Sequence, residues 1–458
     1  MNPLVLFRSL RNPVFARLYA AQTTSWLGDA LTWVGLALLA FELAGKQSAV
    51  VLSTAFTLRV TAFVLLSPLA GAIADRFDRK QIMVITHVIR MVIVGLLPFI
   101  TQIWQIYALI LVLNVFNAFF TPTYQATIPL VTGQNDYPQA IALSSATYQL
   151  LGVLGPGIAG SVAALIGTRQ VFFLDAVSFL MAAVLIFTLP GQLRVEQSQQ
   201  FSTTKGRTWR DIKNGTARLF ADPYIRYALF MQLVASIAGA QILVNTVGYV
   251  QGTLKLEQVQ YGWVMAAFGI GATLSAVAIG AIGQRFPRTT VVLFGATLIT
   301  LVLLPANYVN LPVLMCLWLL AGVGQIAVNL PTQTLIADRI PTDVQGRVYG
   351  AHFAWSHLWW ALSYPLAGWL GSNFAQVKFF YGSLVGLGLL AVVQLILSPK
   401  GNEYEHEHEG IWHEHEHFHD EHHQHKHSPG IPVDKPHTHS HPHLPMRHSH
   451  PYRLDMHH

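Results

Sequence analysis

The stretch GAIADRFDRK, Gly71–Lys80, returns as GAIGQRFPRT, Gly280–Thr289, at an offset of 209 residues. Gly, Ala, Ile, Arg, Phe and Arg are common to both copies, and the same offset lays Pro122 on Pro331 and Pro156 on Pro365. A single match between apolar stretches carries little weight. Three separated matches at one offset mark an internal duplication.

Outward from these two copies the chain is apolar. Of its 458 residues 52% are hydrophobic and 11% charged, with a mean hydropathy of +0.42. Soluble domains run near a quarter charged, so lipid is the expected solvent. About 20 apolar residues cross a bilayer core as a helix. The runs predict twelve spans, at 17–43, 48–74, 81–101, 104–130, 138–166, 170–190, 225–252, 259–284, 290–309, 311–336, 347–371 and 376–397. The fold class expected is an all-α membrane protein, with six-helix halves at 1–190 and 225–398 and a loop at 191–224. A tail follows at 399–458. The first span is too long for a signal-peptide core and lacks a small-residue cleavage site, so it reads as a retained helix. One cysteine, Cys316, excludes an internal disulfide framework and any multi-cysteine metal site.

Basic residues sort by side. Arg8, Arg11, Arg17, Arg76, Arg79, Lys80, seven residues from Arg194 to Arg226, Arg285, Arg288, Arg339 and Arg347 fall on one side of the spans. Lys46, Arg169, Lys255 and Lys378 fall on the other. This asymmetry places both termini and the 191–224 segment in the cytoplasm of a plasma-membrane protein. The basic excess therefore records topology, and no nucleic-acid partner is expected.

GAIADRFDRK resembles the signature loop of the major facilitator superfamily: a Gly, an Asp-Arg pair, then a basic pair. Asp78 stands where a second Gly is more usual, and Gln284 replaces the acid in the second copy. The resemblance implies a gating motif of Gly71, Asp75, Arg76, Arg79 and Lys80, in which Asp75 latches the halves near Gly346–Arg347. Gly152–Gly160, GVLGPGIAG, is similar to the Gly-Pro motif of proton-coupled exporters in that superfamily. It implies a helix bend at Gly155, Pro156 and Gly160, and export as the direction of transport.

Charges at bilayer depth are costly and usually functional. Asp29 lies about 12 residues into the first span and Arg59 about 11 into the second, so a mid-depth pair is expected. Asp29 would then carry a proton or cation and Arg59 would tune it, a permanent structural ion pair being the alternative. His357 is a mid-depth imidazole suited to Ni²⁺, Co²⁺, Zn²⁺ or protons, with His352 nearer the cytoplasm. Asn114 and Asn117, with Gln325 and Asn329, are expected to line a cavity or to bond between helices. Asn117 joins Asp29, Arg59 and His357 in the predicted path. His87 and Arg90 share a face of the third span and are placed outside it.

Eighteen of the 21 histidines lie from His406 onward. His406, His408, His413, His415, His417, His419, His422, His423, His425 and His427 alternate or cluster with carboxylates; His437, His439, His441 and His443 form a second patch without acids. The segment lacks apolar runs and reads as disordered. His-x-His spacing lets neighbouring imidazoles share one divalent ion, with carboxylates completing the shell. Spans and tail together are similar to the bacterial nickel-resistance permeases of the superfamily. That resemblance implies proton-driven export of Ni²⁺, and of Co²⁺ as a second cargo. Nothing reads as a nucleotide-binding loop, so neither ATP nor a resident cofactor is expected, and no oligomer is required. Two further readings stay open: an exporter of a small organic molecule whose tail senses metal, and a membrane-tethered metal buffer.

Overall fold

A computed structural model describes residues 8–74, 77–191, 193, 205–282, 285–340, 342–399, 404–408, 412–417, 437–442 and 446–450. Met1–Leu397 forms one compact unit and Ser398–His458 a second. The first unit is helical: α1 (Pro13–Ala44), α2 (Ser48–Ala74), α3 (Arg79–Leu96), α4 (Ile103–Ile166), α5 (Val171–Phe187) and α6 (Lys205–Ala221) lead into α7 (Pro223–Val247). There follow α8 (Gln258–Ile282), α9 (Arg288–Leu301), α10 (Leu311–Arg339), α11 (Thr342–Asn373) and α12 (Lys378–Leu397). Helix occupies most of every range read as a span. By length and apolarity, seven helical stretches among the described residues suffice to cross a membrane.

The helix starts follow local chemistry. Asn12 caps α1 by accepting from Val14 and Phe15 N–H, and Asp222 caps α7 from Tyr224 and Ile225 N–H; each cap is followed by Pro, whose missing N–H costs nothing there. Asp78, the departure from the expected loop pattern, caps α3 by accepting from Lys80 N–H at 2.9 Å. It also accepts from Leu193 N–H at 3.2 Å.

Helix α4 has 64 residues, about 96 Å at 1.5 Å per residue and about three times a bilayer core. It breaks at Gly133, whose φ of 67° and ψ of 175° suit a residue without Cβ. Asn12 bonds Val131 O at 2.6 Å, which puts the break beside the start of α1. Arg169, just beyond α4, donates to Pro98 and Ile100 O at 2.7 and 2.8 Å, so both ends of α4 return to the opposite face.

The helices pack as two bundles, α1–α5 and α7–α12. They meet where α4 packs on α8 and α2 on α11. A Cβ on Gly160 would lie 2.5 Å from Gly262 Cα, and one on Gly368 would lie 2.1 Å from Ser53 Oγ. These approaches cluster toward the end bearing the turns at 45–47 and 248–253, where Gly252 faces the Phe41 ring.

Two expectations need correction. The segment 191–224 is not simply a loop, because α6 occupies 205–221; a Cβ on its Gly215 would lie 2.4 Å from Arg347 O, so it seats against α11. The tail is not without regular structure either. Strand β1 (Tyr404–His408) pairs antiparallel with β4 (Met446–His450), and β2 (Trp412–His417) with β3 (His437–Pro442). His413 stands opposite His441, His415 opposite His439 and His417 opposite His437. The His-carboxylate alternation has a period of two, which is the period of a strand.

Candidate functional site

The site grows from the contact of α1 with α5. Gly28 and Gly35 let the two helices approach: a Cβ on Gly28 would lie 2.0 Å from Asp175 Oδ1, and one on Gly35 would lie 2.7 Å from Val171 Cγ2. Asp175 is fully buried. Its Oδ2 accepts from Thr32 Oγ1 at 2.5 Å and its Oδ1 from Ser178 Oγ at 2.9 Å.

Asp29 follows Gly28 and points to α3, where Arg90 Nη2 reaches its two oxygens at 3.1 and 3.4 Å. The Arg90 side chain is 2% exposed and that of Asp29 26%, so the acid opens outward and the base does not. Arg90 is held between rings, 4.0 Å from the Phe179 centroid and 5.5 Å from that of Phe120. His87, one turn earlier on α3, is fully buried edge-on to Phe120 at 4.5 Å, and neither ring nitrogen has a hydrogen-bond partner.

The expected Asp29–Arg59 pair is therefore corrected. Arg59 stacks on Trp33 at 4.3 Å and makes no ion pair among the described residues. It stays within electrostatic reach of Asp29, His357 and Tyr364. Depth alone left two arginines eligible, and neighbouring helices chose Arg90. Sequence reasoning set Arg90 and His87 aside and overlooked Asp175, a lone acid in the apolar run FFLDAVSF. The same depth rule that singled out Asp29 applies to it.

Between the bundles the packing is aromatic. Trp33 and Phe56 lie 5.6 Å apart, Phe56 stacks on Tyr364 of α11 at 5.0 Å, and Tyr364 adjoins Trp360 at 5.4 Å. His357 is half-buried, with Nδ1 at 2.8 Å from Phe353 O and its ring 3.9 Å from that of Phe353. His352 Nε2 lies 2.9 Å from Gln232 Oε1, and Gln232 donates to Asn329 Oδ1 at 3.4 Å. Asn114 is buried, its Nδ2 on Ile110 O, whereas Asn117 is half-buried. Among the described residues no group of three or more His, Cys, Asp or Glu is placed to hold a metal.

The profile of the Major Facilitator Superfamily matches residues 18–363, and a second match covers 229–429. The chain belongs to this superfamily. It is a multi-pass membrane transporter, not an enzyme. It is 28% identical over 361 residues to an uncharacterized MFS-type transporter, YfiS, of Bacillus subtilis, covering 76% of this chain and 83% of that one. It is 25% identical over 408 residues to the multidrug efflux pump Tap of Mycolicibacterium fortuitum, covering 84% and 96%. The crystal structure of the nucleoside transporter NupG shares the fold, with a TM-score of 0.66 at 16% identity over 84% of this chain and all of that one.

Of the gating residues expected from the superfamily's loop, Asp75 and Arg76 lie outside the described residues, and Gly71 lies within α2. Arg79 Nη1 donates to Ala126 O and Lys80 Nζ to Leu189 O, both at 2.6 Å, tying the start of α3 to α4 and to the end of α5. The Gly155–Gly160 segment keeps helical backbone angles; the non-helical position of α4 is Gly133. Its glycines make seams instead: a Cβ on Gly155 would meet Ala30 at 2.6 Å, and Gly160 meets Gly262. His419, His422, His423, His425, His427 and His443 also lie outside the described residues.

Proposed function

We propose that this protein exports small organic molecules across the plasma membrane in exchange for protons, by rocking of two six-helix halves about a mid-depth site. The observation that carries the reading is the aromatic row Trp33–Phe56–Tyr364–Trp360, which is packed between the first bundle and the second at the level of Arg59. Flat rings with a few amides suit the planar apolar body of an organic substrate better than a bare ion, which needs several hard or imidazole donors at once. The multidrug efflux pump among its relatives supports the same direction of transport. Twelve spans, cytoplasmic termini and a mid-depth path through Asp29, Arg59, Asn117 and His357 belong to this proposal. So do the halves at 1–190 and 225–398, and a gate at Gly71–Lys80. Ethidium accumulation in cells lacking the gene tests it. Accumulation should rise in the deletion strain and fall on restoring the full chain, and an unchanged level removes the organic reading.

A second reading takes Ni²⁺, or Co²⁺, as the cargo, and the density of histidines from His406 onward favours it. Here the tail gathers cytoplasmic metal through His406, His408, His413, His415, His417, His437, His439 and His441, with carboxylates between them. Cellular nickel separates the readings: a deletion strain that holds more nickel at unchanged ethidium supports metal export. A chain cut after Pro399 that still protects against nickel makes the tail accessory.

A further inference from the structure

Asp175 is a buried acid that the exchange reading above has not used. Its oxygens meet only the hydroxyls of Thr32 and Ser178. It is fully buried, and it lies against the backbone of Gly28, one residue from Asp29. The charged groups facing it are Asp29 from α1 and Arg90 from α3; Arg59 of α2 acts on Asp29 from the interbundle side. His87 of α3 borders Arg90, its ring against Phe120 and Phe179 and its nitrogens without a hydrogen-bond partner, and α4 contributes the Phe120 ring. Two carboxyl groups thus lie near one guanidinium that bonds Asp29 directly, Asp175 being fully buried and the Asp29 side chain 26% exposed. With both ionised, the cluster keeps an uncompensated negative charge; one bound proton cancels it.

We propose that Asp175 is a proton-binding site of this transporter, with Asp29 as its opening to the interbundle space and Arg90 as the counter-charge the two share. The proposal rests on the proton-exchange reading above. In the transfer, the O–H bond on an Asp29 oxygen breaks as one forms on an Asp175 oxygen. Arg90 moves the opposite way, onto whichever carboxylate has lost the proton. The site conserves its charge, so the proton crosses a region that excludes water without leaving an ion behind. Thr32 serves both states: its hydroxyl donates to the carboxylate and accepts from the acid.

Infrared difference spectra of the full-length protein in lipid vesicles, taken across a pH step through neutrality, test the proposal. The wild type should show the C=O stretch of a buried carboxylic acid. Asp175→Asn should remove that band, and Thr32→Val should shift its frequency through loss of the hydroxyl partner. A band of full amplitude in Asp175→Asn overturns the proposal, as does no band in the wild type. Should Asp175→Asn fail to fold, the Thr32→Val spectrum decides, and an unshifted band overturns it. In everted vesicles loaded with ethidium, Asp175→Asn should lose movement driven by the pH gradient; wild-type rates there overturn the proposal. An intact carboxyl band with no ethidium movement in the wild type sinks the organic-substrate reading and supports the proton site independently of it.

Discussion

At the offset of 209 residues, Asp29, His87, Arg90 and Asp175 of the first bundle fall on Ala238, Ala296, Ile299 and Leu384 of the second. Three of these counterparts, Ala238, Ala296 and Ile299, are fully buried, as His87, Arg90 and Asp175 are. At the three buried counterparts the second copy therefore packs hydrocarbon where the first holds Asp29, His87 and Arg90, while Leu384, the counterpart of Asp175, is exposed. Between its helix ends the second bundle's polar contacts are neutral, Gln232 with His352, Ser236 with Ser363 at 2.8 Å, Asn245 with Gln241 at 2.8 Å, and Trp318 with Thr246 at 3.0 Å, while its ion pairs, Arg339–Asp222 and Arg288–Asp338, sit at helix ends. Because the second copy builds the same fold without them, the charges of the first are no requirement of packing. A buried ion pair is weak evidence for stability, and a reversible charge is its better explanation.

That contrast can be broken experimentally. The largest effect is expected from Arg90→Ala, which leaves Asp29 without its partner; thermal unfolding in detergent should show a loss of about 3–5 kcal/mol. Joint replacement by Asp29→Leu and Arg90→Met imitates the second bundle and should restore most of that stability while abolishing pH-driven exchange. Double-variant stability no better than Arg90→Ala would mean that the first bundle needs its charges to fold.

Next in size is Gly262→Val, which thrusts methyl groups at the Gly160 backbone. Overpacking of this kind costs about 1–3 kcal/mol. Accessibility of cysteines introduced at the end near residues 45–47 should rise as the bundles part, and unchanged accessibility would mean that this seam does not hold the bundles together there. Gln232→Ala tests the neutral side of the comparison. It should cost about 1–2 kcal/mol, through loss of its hydrogen bonds with His352 and Asn329, and leave the pH dependence of exchange untouched. A shifted pH profile would place His352 in the proton path and erase the distinction between the bundles. The smallest effect on the helical unit is expected from ending the chain after Pro399: the unfolding midpoint should hold, since Met1–Leu397 is compact by itself. Isothermal titration should show most Ni²⁺ binding lost with the tail. Binding that persists would move the metal site into the helices.

Much of the fold is legible along the chain because bilayer-crossing helices satisfy their own backbone bonds, leaving apolar length as a sufficient signal. The repeat is legible to the residue: α3 starts at Arg79 and α9 at Arg288, separated by the same 209 positions. Asp78 and Pro287, the preceding residues, show how a cap and a proline solve the same turn differently. The site was less legible. Asp29 could be found by depth, and Asp175 could have been found the same way. Its partners could not, because Arg59 and Arg90 both sit mid-span and neither helix period nor hydropathy says which helix faces α1.

What the sequence by itself determined is the membrane-spanning helical class, the repeat at an offset of 209 residues, and the confinement of most histidines to one end. Each follows from composition or spacing measured along a single chain. What only the tertiary structure decided is which charges meet. Gly28 lets α5 close on α1, and that approach sets Asp175 behind Asp29 while α3 brings Arg90 to Asp29. Pairing across helices depends on packing angle and on the smallest side chains at the crossing, quantities that belong to contacts and not to the order of residues.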